Sequence, residues 1–154
     1  MAILNIIKEG DETLRKKSRP VETITPRIIT LLDDMRETLK KSNGCGLAAP
    51  QVGVLKRVVV VDNGTEVLEF INPKIIKTEG EQREIEACLS IPGKFGIVVR
   101  PAVVTIKAQN RYGNEFITTG EELMARAFCH ETDHLDGILY IDKAVEMLDP
   151  EDVE

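Results

Sequence analysis

The hydrophobic positions near the start of the chain repeat with the period of an α-helix. The segment from about Pro26 to Ser42 is predicted to be helical because its apolar residues share one face: Ile28, Leu31, Leu32, Met35 and Leu39. Thr25 fits the N-cap, and Pro26 is tolerated in the first turn since its missing N–H needs no partner there. Asn43-Gly44 fits the C-terminal end. A shorter helical turn is predicted to begin at Asp11.

The hydrophobic pattern changes in the middle of the chain. Short runs rich in β-branched residues, broken by Gly, Pro and Asn, predict strands at 57–62, 67–71, 73–77, 97–100, 103–108 and 115–118. Residues 110–114 resemble a hairpin connection. Because no helix separates these strands, antiparallel pairing is favoured over parallel βαβ units.

A second helical pattern begins near Glu121 and ends at Gly137. Thr119 and Glu122 have the spacing of a capping box, and Gly137 suits a helix C-terminus. The element order predicts an α+β fold in which antiparallel sheets pack around a C-terminal helix. The acidic segment after Tyr140 is predicted to be peripheral.

Composition narrows the class of protein. The 154 residues are 42% hydrophobic and 30% charged, which predicts one folded domain over residues 1–154. The net charge of −6 argues against DNA binding. No apolar run approaches the roughly 18–20 residues of a membrane span. Three widely spaced cysteines predict free thiols, so we expect a cytoplasmic protein with no membrane partner.

The two histidines of the chain both lie in one five-residue segment, His130-Glu-Thr-Asp-His134. Residues four apart on a helix differ by only about 40° in direction, so both imidazoles can reach one ion. Glu131 adjoins this pair, where its carboxylate could take a proton from water activated by the metal. This pattern favours a metal site over a pair of surface histidines on an amphipathic helix.

Residue spacing alone does not identify the third metal ligand. A tail carboxylate, at Asp142, Glu146 or Asp149, would make the site that of a zincin-like endopeptidase, although only twenty residues follow His134. A thiolate is the alternative, from Cys45 or Cys88. Cys129 is a poor candidate because it would point about 100° away from the ligand face. Cys88 lies where a strand-like run breaks into a turn, and it could equally be a small buried core residue.

Three separated segments resemble the signature motifs of peptide deformylases, in the order of that family. They are Gly44-Cys-Gly-Leu-Ala-Ala-Pro-Gln51, Glu86-Ala-Cys-Leu-Ser90 and His130-Glu-Thr-Asp-His-Leu-Asp-Gly137. The resemblance implies a metal-dependent amidase that removes the N-formyl group from the N-terminal methionine of new polypeptides. It assigns the metal ligands to Cys88, His130 and His134, the general acid/base to Glu131, and the oxyanion donors to Gln51 and the backbone N–H of Leu89.

The same resemblance implies a cofactor and partners. One divalent ion per chain is expected, Fe²⁺ in the cell, with Zn²⁺, Ni²⁺ or Co²⁺ able to use the same ligands. The partners would be N-formylmethionyl nascent peptides and the ribosome near its exit tunnel. Small residues such as Gly46 would let the peptide backbone approach closely. The methionine pocket is expected near Cys45, Glu86, Leu123, Arg126 and Ala127.

The sequence allows a second interpretation for several residues. Glu86 is expected to pair with Arg100 more than to contact substrate, and Asp133 could orient a neighbouring group or be solvated. Ala87 and Cys129 replace the Gly and Gln usual in the family, which bears on substrate preference. A non-catalytic peptide-binding relative is the alternative from another functional class.

Overall fold

Helix α1 spans Pro26–Ser42 in the computed structural model, which describes residues 2–153, and these bounds confirm the predicted helix. The backbone of Thr25 has the extended conformation of an N-cap, although its side chain makes no capping hydrogen bond. Asn43 ends the helix in the left-handed conformation with φ 57°. A short 3₁₀ helix, Glu12–Arg15, confirms the predicted turn, since Asp11 Oδ1 accepts a hydrogen bond from the Thr13 N–H.

Within residues 2–153, eight strands form two antiparallel sheets. The larger sheet has the order β1-β2-β3-β6-β7, and the smaller has the order β4-β5-β8. The larger contains β1 (Gly46–Ala48), β2 (Val58–Asp62), β3 (Val67–Glu79), β6 (Val103–Gln109) and β7 (Glu115–Glu121). The smaller contains β4 (Gln82–Cys88), β5 (Ile91–Arg100) and β8 (Ala144–Leu148). The antiparallel pairing predicted from the absence of intervening helices is confirmed.

Strand β3 joins two segments that the sequence predicts as separate strands. Asn72 has φ 53° within it, and the pairing with β6 shifts register there. The Asn72 side chain satisfies the backbone at this kink, because Oδ1 accepts from the Val21 N–H and Nδ2 donates to the Val21 carbonyl. A left-handed Asn therefore bends the strand instead of ending it.

Helix α2 spans Leu123–Leu135, so it begins two residues later than predicted. The predicted capping box is wrong: Thr119 lies in β7, where its hydroxyl hydrogen-bonds to Thr105 across the sheet, and Glu122 makes no side-chain cap. The predicted end is confirmed. Gly137 has φ 75°, and a Cβ there would lie 2.4 Å from the Arg15 carbonyl oxygen, so only glycine fits.

The larger sheet is covered on both faces. Alternation along β2 directs Val58 and Val60 towards α1, and directs Val59 and Val61 towards the cluster that contains Phe128 of α2. A third cluster joins the smaller sheet to the segment after α2 through Val98, Leu139 and Tyr140. The acidic segment after Tyr140 is peripheral, as predicted: none of residues 141–153 is buried, although the segment supplies β8 at the edge of the smaller sheet.

The structure confirms the α+β fold with antiparallel sheets around a C-terminal helix. Neither helix within residues 2–153 has the length and hydrophobicity needed to span a membrane.

Candidate active site

Two histidines of α2 meet a cysteine at the end of β4. One ligand atom from each of Cys88, His130 and His134 lies within 4.8 Å of the other two, and Cys88 Sγ is 3.4 Å from His134 Nε2. Within residues 2–153 this is the only group of three or more side chains with metal-ligand chemistry at such distances. The tail carboxylates of the endopeptidase alternative do not join it. Cys129 packs in the core beside the larger sheet, as its direction on the helix predicts.

The donor set suits a catalytic transition-metal ion. One thiolate and two imidazoles leave a fourth tetrahedral position for water or substrate. Burial lowers the pKa of His134 well below its ordinary value, which favours the neutral imidazole that binds metals. Glu131 Oε1 is buried with no hydrogen-bond partner, so this carboxylate is available to a ligand of the site.

Glu86 orients the first of these histidines. Its Oε1 lies 2.9 Å from His130 Nδ1, so the ring donates from Nδ1 and keeps Nε2 for a ligand role. Arg100 donates two hydrogen bonds of 2.9 and 3.1 Å to the same carboxylate. It donates a third, 2.7 Å long, to Asp133. The expected Glu86–Arg100 pair is confirmed. Asp133 is not simply solvated, because it also pairs with Lys143 at 3.1 Å.

The charges of this buried network decide which carboxylate is ionised. Burial raises the pKa of Glu86, but hydrogen bonds from His130 and Arg100 outweigh it and bring that pKa down to about 2. Glu131 lacks such donors. Burial is the largest influence on it and raises its pKa to about 7. Two carboxyl groups of one site thus have opposite shifts, the pattern expected where one is structural and the other transfers protons.

Gln51 lies in a 3₁₀ helix, Ala49–Val52, and only 1% of it is exposed. Its Oε1 accepts a 2.9 Å hydrogen bond from the Ala48 N–H, and its Nε2 donates to Ser90 Oγ at 3.1 Å and lies 3.6 Å from Cys88 Sγ. The amide donor therefore faces the cysteine of the cluster. Sequence reasoning missed Ser90, which orients this amide; its only signal is its place in the segment that contains Cys88.

Strand β1 brings a glycine against the glutamate of the helix. A Cβ built on Gly46 would lie 2.5 Å from Glu131 Oε2, so the carboxylate occupies the space where a side chain would be. Because Gly46 pairs with Val61 of β2, the edge of the larger sheet sets this close approach.

A cleft of about 470 Å³ opens over these groups. All six residues predicted to bind substrate line it: Cys45, Gly46, Glu86, Leu123, Arg126 and Ala127. Gln51, Cys88, Leu89, His130 and Glu131 also line it. Arg126 donates to Gln82 Oε1 at 2.9 Å, and half-exposed Leu123 lies at the mouth. The structure therefore brings the predicted site residues to one cavity, except His134, which is buried next to Cys88 and does not line it.

The two departures from the family motifs lie in different surroundings. Ala87 is exposed and lines the cleft, so its methyl group faces the space available to a ligand. Cys129 is buried away from the cleft, and burial raises its pKa to about 11, which keeps the thiol protonated.

Comparison with known proteins identifies the family of this chain. The profile of the polypeptide deformylase family matches residues 3–149. The chain is 56% identical over 154 residues to a peptide deformylase of Acetivibrio thermocellus, covering 100% of this chain and 91% of that protein. It is 55% identical over 146 residues to peptide deformylase 1 of Clostridium acetobutylicum, with coverages of 95% and 97%.

Solved structures agree. A peptide deformylase from Legionella pneumophila superposes with a TM-score of 0.89 at 42% identity, covering 97% of this chain and 88% of that one. One from Synechococcus elongatus in complex with actinonin has a TM-score of 0.89 at 37% identity, with coverages of 92% and 78%. The chain belongs to the polypeptide deformylase family.

Proposed function

We propose that this chain hydrolyses the formamide bond at the N-terminus of N-formylmethionyl polypeptides, releasing formate, and that residues 1–154 form one catalytic domain. The observation that carries the proposal is the convergence of Cys88, His130 and His134 beside Glu131, in a cleft of a chain of this family. The three converging residues would hold one divalent cation. When bound, such a cation polarises a carbonyl group and lowers the pKa of water.

Glu131 transfers the protons in this proposal. Its carboxylate takes a proton from the attacking water and later gives it to the leaving amine nitrogen as the C–N bond breaks. Water is thereby added across the formamide bond, and the products are formate and a free α-amino group. A pKa near 7 supports this role, because one group must both accept and release a proton at neutral pH.

Gln51 and Leu89 stabilise the charge that develops on the formyl oxygen. The Gln51 amide and the Leu89 backbone N–H are the donors, and the hydrogen bonds of Gln51 to Ala48 and Ser90 hold its amide in place before the reaction. A preorganised donor of this kind lowers the activation barrier by roughly 3–4 kcal/mol in comparable sites.

The cleft accommodates the first residue of the peptide. We propose that Cys45, Leu123, Arg126 and Ala127 border the methionine side chain, and that Gly46 allows the peptide backbone to approach. Glu86 lines the same cleft, but its oxygens are engaged by Arg100 and His130, which favours a supporting role.

The proposal extends to the metal and the location. Thiolate and imidazole ligands suit Fe²⁺, Zn²⁺, Ni²⁺ and Co²⁺, and we propose Fe²⁺ as the ion in the cell. Because the proposed substrates are nascent peptides, we propose that the protein acts in the cytoplasm, close to the ribosomal exit tunnel. The free thiols of Cys45, Cys88 and Cys129 are consistent with a reducing compartment.

Formate release from a short formyl-Met peptide tests the reaction. Anaerobically prepared protein is loaded with Fe²⁺ or Ni²⁺, and Glu131→Ala is compared with Glu121→Ala, an exposed glutamate before the same helix. We expect Glu131→Ala to keep one ion per chain and lose turnover by about 10²–10⁴-fold, with Glu121→Ala active. Cys88→Ala should lose the ion.

Two outcomes would contradict the proposal. Equal turnover by Glu131→Ala would exclude its catalytic role. A wild-type protein that holds one ion per chain yet releases no formate would indicate another substrate, and would return the peptide-binding alternative to consideration.

A further inference from the structure

A tyrosine outside the proposed mechanism packs directly on one of its histidines. Tyr140 begins a 3₁₀ helix, Tyr140–Asp142, and only 1% of it is exposed. Its ring stacks on the His130 imidazole, with ring centroids 5.9 Å apart and an interplanar angle of 22°. Because Glu86 holds the Nδ1 edge of the same imidazole, the tyrosine limits rotation of a ring that is already hydrogen-bonded.

The hydroxyl of this tyrosine reaches the wall of the cleft. It donates a 3.1 Å hydrogen bond to the Lys94 carbonyl of β5. The ring also lies close against this strand: a Cβ built on Gly96 would be 3.1 Å from Tyr140 Cε2. One side chain thus contacts both the proposed metal-ligand set and the strand that borders the substrate.

The part of β5 that accepts this hydrogen bond is a bulge. Pairing between β4 and β5 jumps from Glu86↔Gly96 to Cys88↔Ile91, so four residues of β5, 92–95, face only Ala87 of β4. All four line the cleft. A bulge of this size lacks the regular ladder on its β4 side, so other contacts must hold its shape.

We propose that Tyr140 is a positioning residue for the reaction: its ring holds the His130 imidazole in place, and its hydroxyl holds the 92–95 bulge against which the peptide binds. This inference rests on the proposed role of His130 as a metal ligand. The two functions belong to different atoms of one side chain, and substitutions can therefore separate them.

Tyr140→Phe removes the hydroxyl and keeps the ring. We expect KM for a formyl-Met peptide to rise about threefold to tenfold, with kcat and the rate of metal release within about twofold of wild type. Amide hydrogen exchange should become faster at residues 93–96. Tyr112→Phe is the matched control, because Tyr112 is 80% exposed and lies outside the cleft. It should leave KM and exchange unchanged.

Tyr140→Leu removes the ring as well. We expect metal release to a chelator to be about tenfold faster than from Tyr140→Phe, the size typical of lost support around a ligand. Thermal unfolding of each variant identifies any loss of folding. If the leucine variant does not fold, Tyr140→Met takes its place in the same measurement.

Each half of the inference can be overturned. If Tyr140→Phe has the wild-type KM and wild-type exchange at 93–96, the hydroxyl does not hold the bulge. Equal metal release from the leucine and phenylalanine variants would overturn the role of the ring. A His130→Ala variant that keeps one ion per chain would instead contradict the proposed ligand set, an outcome separate from both.

Discussion

At the scale of single residues, size and charge around the cleft determine what the site can hold. Gly46 leaves room for the Glu131 carboxylate, and Arg100 contacts both Glu86 and Asp133 in the buried network. Neither contact follows from the identity of the residue alone. A glycine next to a cysteine can occur in an ordinary turn, and an arginine at the end of a strand usually lies on the protein surface.

Gly46→Ala is expected to reduce turnover without unfolding the protein. The new Cβ would overlap Glu131 Oε2, so the carboxylate must move, and a displacement of about 1 Å in a reacting group can cost roughly 10²-fold in rate. We expect kcat for a formyl-Met peptide to fall by about that factor, with metal content and far-ultraviolet circular dichroism unchanged. Wild-type kcat would mean that the carboxylate does not need this position.

Arg100→Ala is expected to destabilise the fold. It removes the cation that Glu86 and Asp133 share, leaving Glu86 only its contact with His130 and Asp133 only its pair with Lys143, and breaking a buried ion pair costs about 3–5 kcal/mol. Urea unfolding should show a decrease of that size in the free energy of unfolding. The control is Arg83→Ala, an exposed arginine on the neighbouring strand β4, which should change stability by less than about 0.5 kcal/mol. Equal losses in the two variants would contradict the proposed role.

At the scale of elements, the segment after α2 links distant parts of the chain. Asp142 pairs with Arg15 of the first 3₁₀ helix and accepts a hydrogen bond from the Leu139 N–H. Strand β8 then completes the smaller sheet beside β5. The segment after α2 therefore connects the first 3₁₀ helix to the sheet that carries Cys88.

The Asp142 contact predicts a pH-dependent contribution to stability. The hydrogen bond from Arg15 is the main reason why the pKa of Asp142 lies below its ordinary value of 3.8. The ionised carboxylate therefore stabilises the fold above that value, and the contribution disappears as the pH falls through the lowered pKa. Asp142→Asn should be less stable than wild type near neutral pH, by less than about 1 kcal/mol since the pair is partly exposed.

Urea unfolding at about pH 7 and about pH 3 tests this dependence, since the difference between wild type and Asp142→Asn should shrink at the lower pH. Glu151→Gln, an exposed carboxylate in the same tail, is the control and should show no such change. A difference that is constant across the two conditions would exclude the ionisation of Asp142 as its cause.

At the scale of the whole molecule, the proposed cation site joins two layers. Cys88 belongs to the smaller sheet, whereas His130 and His134 belong to the helix that packs on the larger one. A cation held by all three would cross-link these layers, and its binding energy would add to the stability of the fold.

Metal removal should therefore lower the melting temperature as well as abolish formate release. A ligand present at about 100 times its dissociation constant adds about 2.7 kcal/mol, which corresponds to roughly 5–10 °C for a domain of this size. Calorimetry with and without a chelator measures the shift, and returning Fe²⁺ or Ni²⁺ should restore it. Cys88→Ala, lacking one ligand, should show no shift with chelator; a full shift in this variant would exclude Cys88 from the site.

The sequence alone determines the features that depend on neighbouring residues. The period of Ile28, Leu32 and Met35 predicts helix α1, and the spacing of His130 and His134 places both imidazoles on one helix face. Local chemistry also predicts that the two helices end near Asn43 and Gly137, both of which have positive φ. Three motifs in family order indicate the deformylase family before any contact is known.

Only the tertiary structure decides which distant residues meet. Cys88 and a tail carboxylate are both acceptable third ligands by chemistry, and the pairing of β4 with β5 is what brings the thiol to the helix. Tyr140 stands before an acidic, weakly patterned segment, and packing on the smaller sheet is what buries Tyr140 and pairs β8 with β5. The period of apolar residues shows which face of one helix or strand is buried. A site between elements depends on strand register and on how the layers pack, and no local sequence pattern predicts these.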